Sequence, residues 1–252
     1  ATAALRAGCG KLRIVTCRSI ASMVGAVVPE ARVLALPETK AGGMAVSGAA
    51  AIARLAGEAQ AVLIGPGMLD ETAIKRLMKA LLPQLAGPTV VLDAGALACL
   101  KQDKRCLESL RYKVVLTPHA GEMAMLTGLD KSEIELEPLS RALEAARRFQ
   151  AVIALKGAET FIAGPAGGKT YCNRTGNIGL ATSGSGDVLS GIIAGLAARG
   201  ATPVQSAIWG VYLHGRAGDS VARKVGRLGF LARELLAEIP LLLSEMDGRK
   251  KR

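Results

Sequence analysis

The sequence predicts an α/β fold built on a mostly parallel sheet. Short β-branched runs alternate with helix-length stretches from the N-terminus to Leu155. Several of those runs are apolar on consecutive residues, as strands covered on both faces are. Glycine is also abundant, at 30 of 252 residues. That is more than a helical bundle needs, and it implies many turns or loops that approach a ligand closely.

Taken in order, strands are predicted at 12–16, 31–36, 61–65, 89–93, 113–117 and 151–155. Helices are predicted between them, among others at 47–56, 71–82 and 138–149. The rhythm then changes. Residues 160–163 and 169–172 read as a β-hairpin around Gly164-Pro165-Ala166-Gly167-Gly168. Helices follow at 187–199, 203–221 and 230–238. No repeat or linker interrupts the chain, so one domain over residues 1–252 is expected, with a basic tail at about 247–252.

Composition narrows the partners. Hydrophobic residues make up 50% and aromatics only 3%, so the core must be aliphatic. The net charge of +11 favours an anionic partner. Aromatics are scattered instead of interleaved with the basic groups, which argues against nucleic acid. Five cysteines without a C-x-x-C, beside two histidines, argue against a zinc site. They read as free, buried thiols in a reducing compartment, hence a cytoplasmic protein. No apolar run is long enough to span a membrane, and the first residues lack the pattern of a signal peptide.

Ligands of open parallel sheets bind outside the carboxyl ends of the strands. Gly65-Pro66-Gly67, Asp93-Ala94-Gly95, Thr117-Pro118-His119-Ala120-Gly121-Glu122 and Lys156-Gly157 follow four successive predicted strands, forming one rim of a cleft. The most informative segment is Asn177-Ile178-Gly179-Leu180-Ala181-Thr182-Ser183-Gly184-Ser185-Gly186-Asp187. Small residues precede an apolar helix whose N-terminal amides and dipole favour an anion. Gly184, Ser185 and Gly186 are the candidate anion hole. Asp187 reads either as a stabilising first-turn acid or as a general base for a hydroxyl attacking a bound phosphoryl group. The segment matches neither G-x-x-x-x-G-K-[ST] nor G-x-G-x-x-G.

Gly-Ser-Gly-Asp opening an apolar helix resembles the anion-hole and base motif of the ribokinase-like superfamily. With residues 117–122, Lys156-Gly157-Ala158-Glu159-Thr160 and Gly65-Pro66-Gly67, the chain resembles the ADP-dependent NAD(P)H-hydrate dehydratases. The resemblance implies a three-layer α/β/α sandwich. It also implies repair of hydrated NADH or NADPH, here NAD(P)HX, at the expense of ADP or ATP, with Mg2+. It assigns Asp187 as base and substrate contact. Lys156, Gly157, Ala158, Glu159, Thr160 and Gly186 become nucleotide contacts, and Gly67 and His119 substrate contacts. Glu122 is a candidate for orienting the loop or a magnesium-bound water. The family further suggests a homotetramer and an epimerase partner. It would also place a glycine-rich strand ahead of Ala3-Ala4-Leu5-Arg6, so a missing N-terminal strand and an unpaired sheet edge are expected. A kinase of the same superfamily, and a nucleotide-binding protein without catalysis, remain the alternatives. His214 is expected to pack within its helix, and Asp93 to cap the one that follows it.

Overall fold

The computed structural model describes residues 1–101, 104–110 and 112–248. Its elements run α1 (Thr2–Arg6), β1 (Arg13–Cys17), α2 (Ala21–Val27), β2 (Arg32–Leu36), α3 (Ala49–Gly57), β3 (Ala61–Ile64) and α4 (Glu71–Leu81). Then come β4 (Thr89–Leu92), β5 (Val114–Leu116), α5 (Ala120–Thr127), α6 (Lys131–Leu136), α7 (Pro138–Phe149) and β6 (Val152–Leu155). The chain closes with β7 (Thr160–Ala163), β8 (Tyr171–Asn173), α8 (Ser185–Ala198), α9 (Pro203–Val225) and α10 (Leu235–Gly248).

Pairing follows chain order. β3, β4, β5 and β6 are parallel neighbours, and β7 and β8 add antiparallel strands at one edge. The register sets Ile64 beside Leu92, Leu92 beside Leu116 and Leu116 beside Ile153. The carboxyl ends of β3, β4 and β5 are thereby level, with Gly65, Asp93 and Thr117 next in line, while β6 runs two residues further and Lys156 bridges to His119 on the same rim. Among the described residues, β1 and β2 pair only with each other, in parallel. Among the described residues, β3 has a strand on one side only.

Side chains alternate across the central strands. Val90, Leu92, Val114, Leu116 and Ile153 face a cluster containing Leu77 and Met78 of α4 and Ala145 of α7. Val91, Val115, Val152 and Ala154 face Leu189 and Ile193 of α8 and Ala207 and Val211 of α9. Helices on both faces of the sheet make the α/β/α layering. A third cluster joins α1, α8, α9 and α10 through residues such as Ala3, Ile192, Leu213 and Ile239.

Several boundaries differ from the sequence reading. α8 begins at Ser185, two residues earlier than predicted, because Gly184 takes a left-handed φ of +83° and serves as its N-cap. The last helix runs over Leu235–Gly248 instead of 230–238. Pro240 lies inside this helix, and Leu235, Ile239 and Leu242, all buried, form the apolar face that carries the helix past it. Asp247 and Gly248 thus belong to α10, not to a tail, while residues 249–252 lie outside the described residues. The thiols also differ from expectation: Cys17 is buried, whereas Cys172 is exposed.

The turn after β3 is held by one contact. Gly65 has φ +127°, and a Cβ there would overlap the Asp93 carbonyl oxygen. Gly65→Ala is therefore expected to cost about 3 kcal/mol or more. Chemical denaturation reads that loss, and a variant as stable as the parent refutes it.

Candidate active site

The rim and the N-terminus of α8 meet at Lys156. The peptide after β6 bridges to the turn after β5, with the Lys156 N–H donating to the Pro118 carbonyl at 2.8 Å. The ammonium is 3.1 Å from Asp93 Oδ1 and 3.6 Å from Glu122 Oε2. It also lies 3.5 Å from where a Cβ on Gly186 would stand. Asp93 is only 2% exposed, so its carboxylate needs this partner. The ion pair aims a positive charge at the glycine-rich turn.

That turn presents open donors. Among the described residues, the amides of Gly184, Gly186 and Asp187 have no acceptor. The Ser185 amide does, bonding to the Thr182 carbonyl at 3.2 Å. Ser185 thus contributes a side chain to the site and not its amide. Three unpaired amides, the positive end of a 14-residue helix and an ammonium make an anion cradle.

Asp187 stands in the first turn of α8 with its side chain toward solvent. Partial burial raises its pKa, the neighbouring Asp93 charge raises it further, and Lys156 opposes both. A raised carboxylate is a better proton acceptor than a free one.

His119 and Glu122 form a capping box at the start of α5. His119 Nδ1 accepts from the amides of Gly121 and Glu122 at 3.0 and 3.2 Å, and Glu122 Oε2 accepts from the His119 amide at 2.8 Å. Two amide donors on Nδ1 place the ring proton on Nε2. His119 also borders a cavity of about 560 Å³ whose other walls include Ile134, Pro138, Phe161 and residues 155–159. Apolar walls with a lysine at one end suit a nucleoside that carries phosphates.

The remaining predicted residues are more dispersed. Lys156, Gly157, Ala158 and Glu159 line that cavity, whereas Thr160 opens β7 outside the lining. Glu159 bonds the Arg174 side chain at 2.6 Å, which holds its pKa down. Gly67 stands after β3, at the far end of the same rim.

Residues 1–241 match the family model described as NAD(P)H-hydrate dehydratase. The chain belongs to that family. Its relatives include an ADP-dependent (S)-NAD(P)H-hydrate dehydratase of Xanthomonas campestris pv. campestris, 44% identical over 97% of this chain and 82% of that protein. A bifunctional NAD(P)H-hydrate repair enzyme of Moorella thermoacetica is 43% identical over 98% of this chain, which spans 46% of that longer protein. Among solved structures, an ADP/ATP-dependent NAD(P)H-hydrate dehydratase from Bacillus subtilis, co-crystallized with ATP/Mg2+, superposes with a TM-score of 0.77. It is 32% identical, over 97% of this chain and 82% of that one.

The described residues of the chain do not themselves form a cage for Mg2+. No group of three or more His, Cys, Asp or Glu among the described residues is placed to hold a metal. Glu122 Oε2 is engaged by an amide and faces Lys156. The structure pairs Asp93 with Lys156 and sets His214 Nε2 3.0 Å from the Ser185 hydroxyl. Asp93 gave a signal, an acid directly after an apolar strand, but its partner is 63 residues away. No helix among the described residues is long and apolar enough to cross a membrane.

Proposed function

We propose that this chain dehydrates NAD(P)HX at the expense of ADP, giving NAD(P)H, AMP and phosphate. The observation that carries the reading is the cradle of open amides and Lys156 facing Asp187 across the turn at Gly186. The hydroxyl on the hydrated ring is a poor leaving group. Asp187 takes its proton as its oxygen attacks the β-phosphorus of ADP, and the phosphorus–oxygen bond to AMP breaks. The amides of Gly184, Gly186 and Asp187 and the Lys156 ammonium stabilise charge on the transferring oxygens. The ring nitrogen's lone pair then expels phosphate, and loss of a proton from the adjacent ring carbon restores the dihydropyridine.

In this reading Lys156, Gly157, Ala158, Glu159, Thr160 and Gly186 bind the nucleotide, while Gly67, His119 and Asp187 bind the dinucleotide. Glu122 orients His119 and Lys156 in place of binding metal directly, and Mg2+ travels with the polyphosphate, as it does where few carboxylates are offered. We read residues 1–252 as one catalytic domain of a cytoplasmic homotetramer that works beside an epimerase. ATP is the alternative phosphoryl donor.

The test follows the return of dihydronicotinamide absorbance when the protein meets (S)-NADPHX, ADP and Mg2+. Recovery of absorbance with one AMP formed per NADPH is expected. ADP binding without recovery, or a stable phosphorylated alcohol as product, sinks the reading.

A further inference from the structure

Helix α9 meets the stretch that leads into the phosphate-binding turn through Tyr212, Asp219 and His214. Asp219 accepts from the Gly176 amide at 3.1 Å and from the Asn177 side-chain amide at 3.2 Å, fixing the stretch ahead of the turn. His214 reaches the turn itself, its Nε2 3.0 Å from the Ser185 hydroxyl. Ser185 is 3% exposed and its amide is already bonded to Thr182. It is therefore held from both sides, and the open amides of Gly184 and Gly186 flank it. Burial presses the pKa of His214 to about 4, against a hydrogen bond with the Ser185 backbone that raises it, and the charge of Lys156 adds to the lowering. At neutral pH the ring is uncharged, so it acts as a directional hydrogen-bond partner and not as another cation.

We propose that His214 is a positioning residue of the phosphate site, which acts through the Ser185 hydroxyl to hold the Gly184, Gly186 and Asp187 amides in their transition-state directions. Packing alone would ask only for the volume of the ring. A ring nitrogen bonded to the residue between two open donors also fixes the direction of the turn, and preorganised donors lose much of their value when they must reorient. The inference rests on the dehydratase reading for its turnover measurement, whereas ADP affinity reports on it independently.

The experiment is a double-mutant cycle with His214→Ala, Ser185→Ala and the combined variant, together with His214→Gln, which restores a side-chain amide near the position of Nε2. In each single alanine variant kcat is expected to fall about 10-fold or more, and the Kd for ADP by calorimetry to rise about 3–10-fold. The combined variant should be no worse than either single, because removing both partners leaves no buried group unpaired. His214→Gln should recover kcat to within about 3-fold of the parent. Additive losses, parental values in His214→Ala, or glutamine behaving like alanine overturn the proposal. Ser185→Ala removes one oxygen and decides the matter if His214→Ala does not fold: parental kcat and Kd there also overturn it. If the parent protein shows no turnover, the dehydratase reading falls while the ADP cycle still decides this inference.

Discussion

Asp187→Asn is expected to lower kcat by about 100-fold or more while leaving the Kd for ADP within a few-fold of the parent. The substitution keeps the shape of the side chain and removes its negative charge and its ability to take a proton. Its amide N–H, one of the open donors, is untouched. Stability offers the control. Burial and the Asp93 charge raise the pKa of Asp187. A carboxyl whose folded pKa lies above its unfolded value holds its proton more tightly in the folded state, so its ionisation opposes folding. That cost is absent below the unfolded pKa and fully present above the folded one. Asp187→Asn should therefore melt at or above the parent temperature while being nearly inactive. The same shift sets the pH profile. Activity needs the carboxylate, so kcat/KM should fall as pH drops through the raised pKa, placing the acid limb above the ordinary aspartate range. A steady-state pH series checks this, and an active Asp187→Asn protein removes Asp187 from the role of base.

Lys156→Met should damage both fold and site. The substitution leaves Asp93 buried without its cation, at a cost of about 3–5 kcal/mol. It also removes the charge beside Gly186, so ADP should bind about 10–100-fold more weakly. The two effects separate in the double variant Asp93→Asn/Lys156→Met. Neutralising the stranded carboxylate should return much of the stability and none of the ADP affinity. Denaturant melts and calorimetry on the two variants test this. A Lys156→Met protein with parental stability would show that the Asp93 contact is dispensable.

These expectations depend on parts of the molecule that were unequally legible beforehand. The runs at 61–65, 89–93 and 151–155 were readable because strands buried on both faces must be continuously apolar. The hairpin at β7 and β8 was readable from its glycine-rich turn. The stretch 94–110 was not foreseen: its described residues form 3-10 turns, a geometry with no strong hydrophobic period. Nor was α10 foreseen beyond residue 238, because its far half is held by burial of Ile239 and Leu242, which depends on packing. Within the site, the glycine motif and Asp187 were visible as local chemistry. Asp93 was read as a helix cap and His214 as packing, because the side chains they meet, Lys156 and Ser185, are 63 and 29 residues distant.

The amino-acid order alone determined the alternation of strands and helices, the family, and the residues gathered at the carboxyl ends of β3 to β6. The alternation and the rim follow from short-range rules of periodicity and turn chemistry, and the family from the resemblance carried by the glycine-aspartate motif. Only the tertiary structure decided which amides stay open, which way Lys156 points and what holds Ser185. Those outcomes turn on distances of about 3 Å between groups far apart in the chain, set by strand register and by the packing of α9 against α8.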